Sequence, residues 1–275
     1  ICACLVGSEM CIRDRIYPLL WMVSATFKDN NEIFSGISLW IKRPTLQGYV
    51  DAMNNYGGDI NVFRSMLNTY SYVIPKVVFT VVSSTLTAYG FGRFSFAGKK
   101  FLFALMLAML FLPQVVLNVP QYLLFNKFGW VNSPWYLALI VPTLFATESY
   151  FVFMLVQFMR NIPREMDEAA QIDGCNSFQT LTRVIVPMLS PAMISCALFQ
   201  FMWSCNDFMG PLLYVKTPDK YPAALFVKLS MDADNGFNWN RVLAVSLISI
   251  IPQLIVFFLA QNQFVEGISA GSVKG

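Results

Sequence analysis

The sequence predicts an all-α membrane protein, a polytopic bundle of about six transmembrane spans with a polar helical loop set into it. Three observations predict it. The 275 residues are 56% hydrophobic and only 13% charged, with a mean hydropathy of +0.54, which soluble domains rarely reach. Apolar segments close to the length of a bilayer crossing alternate with polar loops. One long polar stretch, Asn161 to Pro191, carries helix-capping residues at spacings that read as two short helices joined at a turn. The same composition excludes other classes. A net charge of +3 is too small to draw nucleic acid. The chain has no histidine, the commonest acid–base group and metal ligand, and Cys2, Cys4, Cys11, Cys175, Cys196 and Cys205 form no CxxC pair or zinc spacing. No catalytic residue and no metal site are therefore expected.

Residues 1–15 are too charged for a span and lack a signal-peptide core, so they read as an atypical N-terminus that need not be native. Residues 16–275 read as one membrane domain. Its first span is reduced to Ile16 to Phe27, shorter than the ~20 residues of a full crossing. Lys28 to Leu67 reads as an extramembrane loop with a short helix. A second span is expected from Tyr72 to Gly90, with Pro75 and Lys76 near its end. The loop that follows carries Arg93, Lys99 and Lys100 without an acid, the mark of a cytoplasmic loop. The third span is read from Phe101 to Leu117 with Pro113 and Gln114 inside it, and the fourth from Trp135 to Phe158 around the single acid Glu148. The fifth, Ala192 to Tyr214, encloses Gln200, Asn206, Asp207 and Pro211. A loop from Val215 to Asn240 leads to a sixth span from Val242 to Leu259 and a glycine-rich tail. Alternation from the basic loop puts the stretch 161–191 and the C-terminus in the cytoplasm. Polar groups at membrane depth are costly, so Glu148, Asn206 and Asp207 should face the bundle interior or a water-filled path. Helix-to-helix hydrogen bonding is an equal reading of the same residues.

The polar stretch is the most informative. Pro163 suits a first helical turn, and Glu165, Asp167 and Glu168 place negative charge at the positive end of the helix dipole. Gly174 stops that helix. Asn176 is placed to cap a second helix, with Gln179 able to reach back, and Pro187 and Pro191 are expected to close it and open the next. Met166, Ala169, Ala170 and Asp173 share one face of the first helix, and Phe178, Leu181, Thr182 and Ile185 one face of the second.

Glu168-Ala169-Ala170, followed by Asp173-Gly174 and then by Pro187, resembles the EAA loop of the membrane subunits of bacterial ABC importers. Val184 and Val186 stand where that pattern has Ile and Leu. The segment Trp203 to Val215 resembles the "WNDF..PL" stretch of the sugar-importing branch, with Cys205 in place of a tryptophan. The ending Phe264 to Gly275 resembles the "GxxxGxVKG" terminus of MalG-type subunits.

The resemblance implies a permease subunit that forms half of a translocation pathway. Its implied partners are a MalF-like second permease, two MalK-like ATPase subunits, an extracellular sugar-binding protein and membrane lipid, with no nucleic acid. It implies that Glu168, Ala169, Ala170, Asp173, Gly174 and Pro187 couple to the ATPase and that Gly271, Lys274 and Gly275 in the tail reach the ATPases; the polar groups at membrane depth, Glu148, Asn206 and Asp207, with Pro211 beside the last two suggesting a kinked segment, are then the candidates for the pathway or its gate. The loop from Val215 to Asn240 is then the one that probes the sugar cleft of the binding protein. ATP and magnesium belong to the partner ATPase. In keeping with that, the nearest approach to a phosphate-binding loop, Gly92 to Lys99, has the wrong spacing and is followed by Lys100. Two alternatives stand beside this reading. An amino-acid or peptide permease of the same class is disfavoured by the VKG ending. An ion-coupled secondary transporter should show internal repeats, and none is evident.

Overall fold

The computed structural model describes residues 15–55, 59–231 and 238–272, with side chains as far as Gln261. Among the described residues every regular element is a helix. A helix over residues 15–25 (α1) is followed by α2 (Asn30–Ile33), α3 (Gln47–Met53), α4 (Val62–Arg93), α5 (Lys99–Met109), α6 (Gln114–Lys127) and α7 (Leu137–Ile140). After a 3-10 turn, Val141–Phe145, come α8 (Ser149–Arg160), α9 (Glu165–Ile172) and α10 (Ser177–Thr180). A π-helical turn, Leu181–Ile185, joins α10 to α11 (Val186–Cys205), and α12 (Met209–Tyr214), α13 (Ala223–Leu229) and α14 (Trp239–Ser272) complete the order.

Four stretches among the described residues are long and apolar enough to cross a membrane: Val62–Arg93, Leu137–Arg160, Ser177–Cys205 and Trp239–Gln261. The pair α5 and α6 meets the same test only when taken together, and it is bent by 102°. The continuous third span expected from Phe101 to Leu117 is therefore broken. Pro113 sits at the N-cap of α6 with extended backbone, and a proline both lacks an N–H and keeps its predecessor out of helix geometry. The second span begins at Val62, so Pro75 and Lys76 lie within the helix rather than near its end. The fourth is interrupted. Ala146 takes a positive φ of 52°, and Glu148, half-buried, stands at the N-cap of α8 instead of inside a helix.

The chain divides into two compact units. One comprises Ile1–Thr69 with Thr217–Gln253. The segments read from sequence as outer loops are largely folded here, around Ala52, Ile60, Val62, Phe226, Ala244 and Val245. Asn238 Nδ2 donates to Asp51 at 2.8 Å, and Asn30 Oδ1 accepts the N–H of Asn240 at 3.1 Å, tying the start of α14 to α2 and α3. Lys28 is buried, with its ammonium donating to the Ser38 carbonyl. The stretch Asp232 to Phe237 lies outside the described residues.

The other unit comprises Tyr70–Lys216 with Leu254–Gly275. Its core runs where α8 packs along α11: Phe151, Leu155 and Met159 against Ile185, Leu189 and Cys196, with Ala88 and Tyr89 of α4. Small polar residues of α4, Thr80, Ser83, Ser84 and Thr85, are buried. Ser83 Oγ donates to the carbonyl of Thr143 at 2.6 Å, satisfying the 3-10 turn above α8. Such small residues let membrane helices approach closely.

Candidate functional site

The polar stretch folds as a helix–turn–helix, α9 then α10. Arg164 opens α9, and Glu165, Asp167 and Glu168 occupy its first turn, where carboxylates favour the positive end of the dipole. The helix ends in a Schellman motif at Gly174, whose φ of +80° is open to glycine at no steric cost. There the Cys175 N–H reaches the Ala170 carbonyl at 2.9 Å and the Gly174 N–H the Gln171 carbonyl at 3.0 Å. Asn176 and Gln179 form the expected capping box, each side chain accepting the other's backbone N–H at 2.9 Å.

The continuation differs from expectation. Pro187 and Pro191 do not separate two helices, because α10, the π turn and α11 run on as one helical body. Within that turn the Val186 N–H bonds Leu181, five residues back. The wider turn disturbs the regular ladder just where Pro187 contributes no donor, and so accommodates the proline.

Exposure sorts the two faces. Glu168, Ala169, Asp173, Gly174 and Pro187 are exposed, and Ala170 is buried. Ile172, one turn beyond Glu168 on the same face, is 87% exposed, and Phe178 is 67% exposed. The stripes expected from spacing are thus split. Met166 and Ala169 turn outward while Ala170 turns in, and Phe178 and Thr182 turn outward while Leu181 and Ile185 enter the core. The exposed surface that results carries an acid, Glu168, with Ile172 on the same face of α9, and Phe178 exposed on α10.

Sequence reasoning missed what holds this surface. Arg93, the last residue of α4, places Nε 3.0 Å from Asp167, with the two side chains only 8% and 14% exposed. Its Nη2 donates to the Ile162 carbonyl at 3.0 Å. One turn earlier on α4, the Tyr89 hydroxyl donates to the carbonyl of Ser177 at 3.1 Å. From sequence Arg93 served only as a marker of a basic loop and Asp167 only as a dipole partner. An arginine closing an apolar helix beside an acid-rich loop was the available signal.

The residues expected along the pathway lie in two places. Asn206 and Asp207 lie in a turn after α11 rather than inside a span, and Pro211 falls in the first turn of α12 just beyond them. Asn206 caps α11 and its Nδ2 donates back to Met202 at 2.8 Å, while the Asp207 carboxylate accepts the Gly210 N–H at 2.9 Å. These local bonds offer the backbone an alternative to the helical ladder, and Pro211 fits the first turn of the helix that restarts, where its missing N–H has no partner to lose. The phenol of Tyr72 donates to Ser204 at 2.8 Å just before the break. Glu148 belongs to a different break, at the head of α8. Gly271 falls within α14, which runs on past the expected end of the sixth span at Leu259, whereas Lys274 and Gly275 lie outside the described residues.

An apolar multi-helix bundle interrupted by an exposed, doubly capped helix–turn–helix, itself pinned to a span, is the architecture of a polytopic membrane subunit. Residues 81–264 match the family described as binding-protein-dependent transport system inner membrane component, and the chain belongs to that family. It is a multi-pass membrane permease of a system that works with a binding protein. It is 31% identical to the trehalose/maltose transport system permease protein MalG of Thermococcus litoralis, over 94% of this chain and 92% of that one. To the arabinooligosaccharides transport system permease protein AraQ of Halalkalibacterium halodurans it is 29% identical, over 94% and 91%. Its fold matches a chain of a bacterial ABC transporter involved in alginate import with a TM-score of 0.82 and 17% identity, covering 95% of each.

Proposed function

We propose that this chain is the permease subunit of an ATP-driven carbohydrate importer, forming half of the pathway beside a MalF-like permease, with two MalK-like ATPases and an extracellular sugar-binding protein. The observation that carries the reading is the coupling surface, an exposed Glu168 with Ile172 on one face of a helix capped at its far end by Gly174. The sugar-transporting relatives support a carbohydrate substrate. In this reading Glu168 pairs with an arginine of the ATPase, and Ala169, Ala170, Asp173, Gly174 and Pro187 shape the helix that docks. The C-terminus is cytoplasmic, and Gly271, Lys274 and Gly275 reach the ATPases. Asn206, Asp207 and Pro211 form an outer gate, and Glu148 lines the path. ATP and magnesium are bound by the partner, and this chain itself carries out no hydrolysis.

Reconstitution of the four components in proteoliposomes tests it. ATP-dependent uptake of a labelled oligosaccharide is expected, together with ATPase stimulation by the loaded binding protein. Stimulation only by an amino-acid- or peptide-loaded binding protein would overturn the substrate class, and uptake independent of ATP would overturn the importer.

A further inference from the structure

We infer that Arg93 is a positioning residue for coupling: it fastens the docking helix α9 to the end of α4, so that α4 moves with α9 whenever the ATPase displaces it. The inference rests on reading the Glu168 surface as the ATPase contact.

Neighbouring residues on an α-helix point about 100° apart. Glu168 faces out, and Asp167 turns in to Arg93. A single guanidinium then holds both ends of the entry into α9, through Asp167 and through the Ile162 carbonyl. Its extended, planar group carries the charge that meets Asp167 at Nε and the donor that meets Ile162 at Nη2 on separate nitrogens, a spread that a compact ammonium lacks. Tyr89 adds a bond to the first residue of α10, so that α4 grips both helices of the loop. Gly92 brings α4 against α8 as well, since a Cβ there would lie 2.7 Å from Met159 Sδ.

Stability is a weak explanation for such a pair. Removing two charges from water offsets much of what their attraction contributes, and the better-attested use of buried ion pairs is to fix one arrangement. The arrangement fixed here has a consequence for motion. Chain continuity passes a displacement of the loop only into α8 and into the helix that becomes α11. The Arg93 clamp adds α4, which is separated from the loop in sequence by α5 to α8.

The test uses the reconstituted complex with Arg93→Gln, Arg93→Lys, Asp167→Asn and the exchange Arg93→Asp/Asp167→Arg. Each subunit should assemble with the ATPase at wild-type yield. Sugar imported per ATP hydrolysed should fall about tenfold in Arg93→Gln and Asp167→Asn, within the range that residues along a coupling route produce. Arg93→Lys, which keeps the charge but not the spread, should lie between, and the exchange should recover much of the ratio. A second readout is independent of transport. Spin labels at Leu86→Cys on α4 and Gln171→Cys on α9, both exposed, with the native cysteines changed to alanine, should give one narrow distance distribution that broadens in Arg93→Gln and narrows again in the exchange. An unchanged label distribution or an unchanged import ratio in Arg93→Gln overturns the clamp, as does a loss confined to assembly that the exchange fails to restore. Absence of ATP-driven uptake in the wild type, with the label result intact, instead overturns the functional reading alone.

Discussion

The helix–turn–helix of α9 and α10 and the turn that follows α11 both break a run of helices beside acids and a glycine, yet they are held in different ways. At the loop, Asp167 reaches another helix through Arg93, and Tyr89 of α4 secures the second half. At the turn, Asp207 accepts from Gly210 and Asn206 donates to Met202, each within its own few residues. A device tied outside itself transmits displacement. One whose acid and amide bond within their own few residues, with Tyr72 and Asn132 meeting the chain only at Ser204 and Tyr214 on either side, shapes a local bend.

That contrast is sharpest under charge reversal on the exposed side of the loop. Glu168→Lys should abolish ATP-driven uptake while leaving the subunit inserted, and an acid replacing the partner arginine on the ATPase should restore part of it. If Glu168→Lys transported normally, the loop would lose its claim to be the driven region. Next comes the turn of the loop. Gly174→Pro removes the N–H that meets Gln171 and cannot hold a φ of +80°, so uptake should drop to near background. Gly174→Ala, which keeps the donor, costs about 1–2 kcal/mol for the left-handed conformation and should leave measurable transport.

At the turn after α11, Asp207→Ala deletes one local hydrogen bond, worth about 1 kcal/mol, and should slow uptake by about fivefold with ATPase docking unchanged. Wild-type uptake and expression in this variant would remove the gate assignment. A still smaller effect is expected from Asn176→Ala, which loses the capping box and should lower stability by about 1 kcal/mol, read as a reduced melting temperature of the detergent-solubilised subunit.

The smallest lies in the unit that carries neither region. The Glu32 carboxylate accepts the N–H of Lys42 at 2.7 Å and of Arg43 at 3.2 Å, and the first of these chiefly holds its pKa below the ordinary 4.5. Because the folded value is depressed, its contribution is complete above the ordinary carboxylate range and fades as pH falls through the lower folded value. Amide exchange at Lys42 and Arg43 should therefore quicken in acid, and Glu32→Gln should blunt that dependence.

How much of this was legible in the sequence follows from the range of each interaction. The capping box at Asn176 and the stop at Gly174 are encoded within a few residues and stand as expected. The break before α6 was half-legible: Pro113 marks a weak point, but nothing local sets a bend of 102°. Asp207 was hidden because the apolar run carries past it on both sides, so hydropathy extended the span through a turn that side-chain hydrogen bonds create. For the Arg93–Asp167 pair the sequence offered the two kinds of residue but not their pairing. Its partners are far apart in the chain, and each had a sufficient local reason to be where it is.

The π turn at Leu181–Ile185 has a consequence for anyone exchanging parts between permeases. It takes one residue more per turn than a regular helix, so it sets the rotational phase of everything downstream by about 100°. A chimera joined at Ile185 would separate this irregular turn from the Pro187 it accommodates. A donor segment in plain α-helical register would rotate Leu189, Ala192 and Cys196 off the surface they share with α8. Functional splices should therefore carry Asn176 through Pro191 as one cassette, and single-residue insertions or deletions within it should be as damaging as the loss of Glu168 itself.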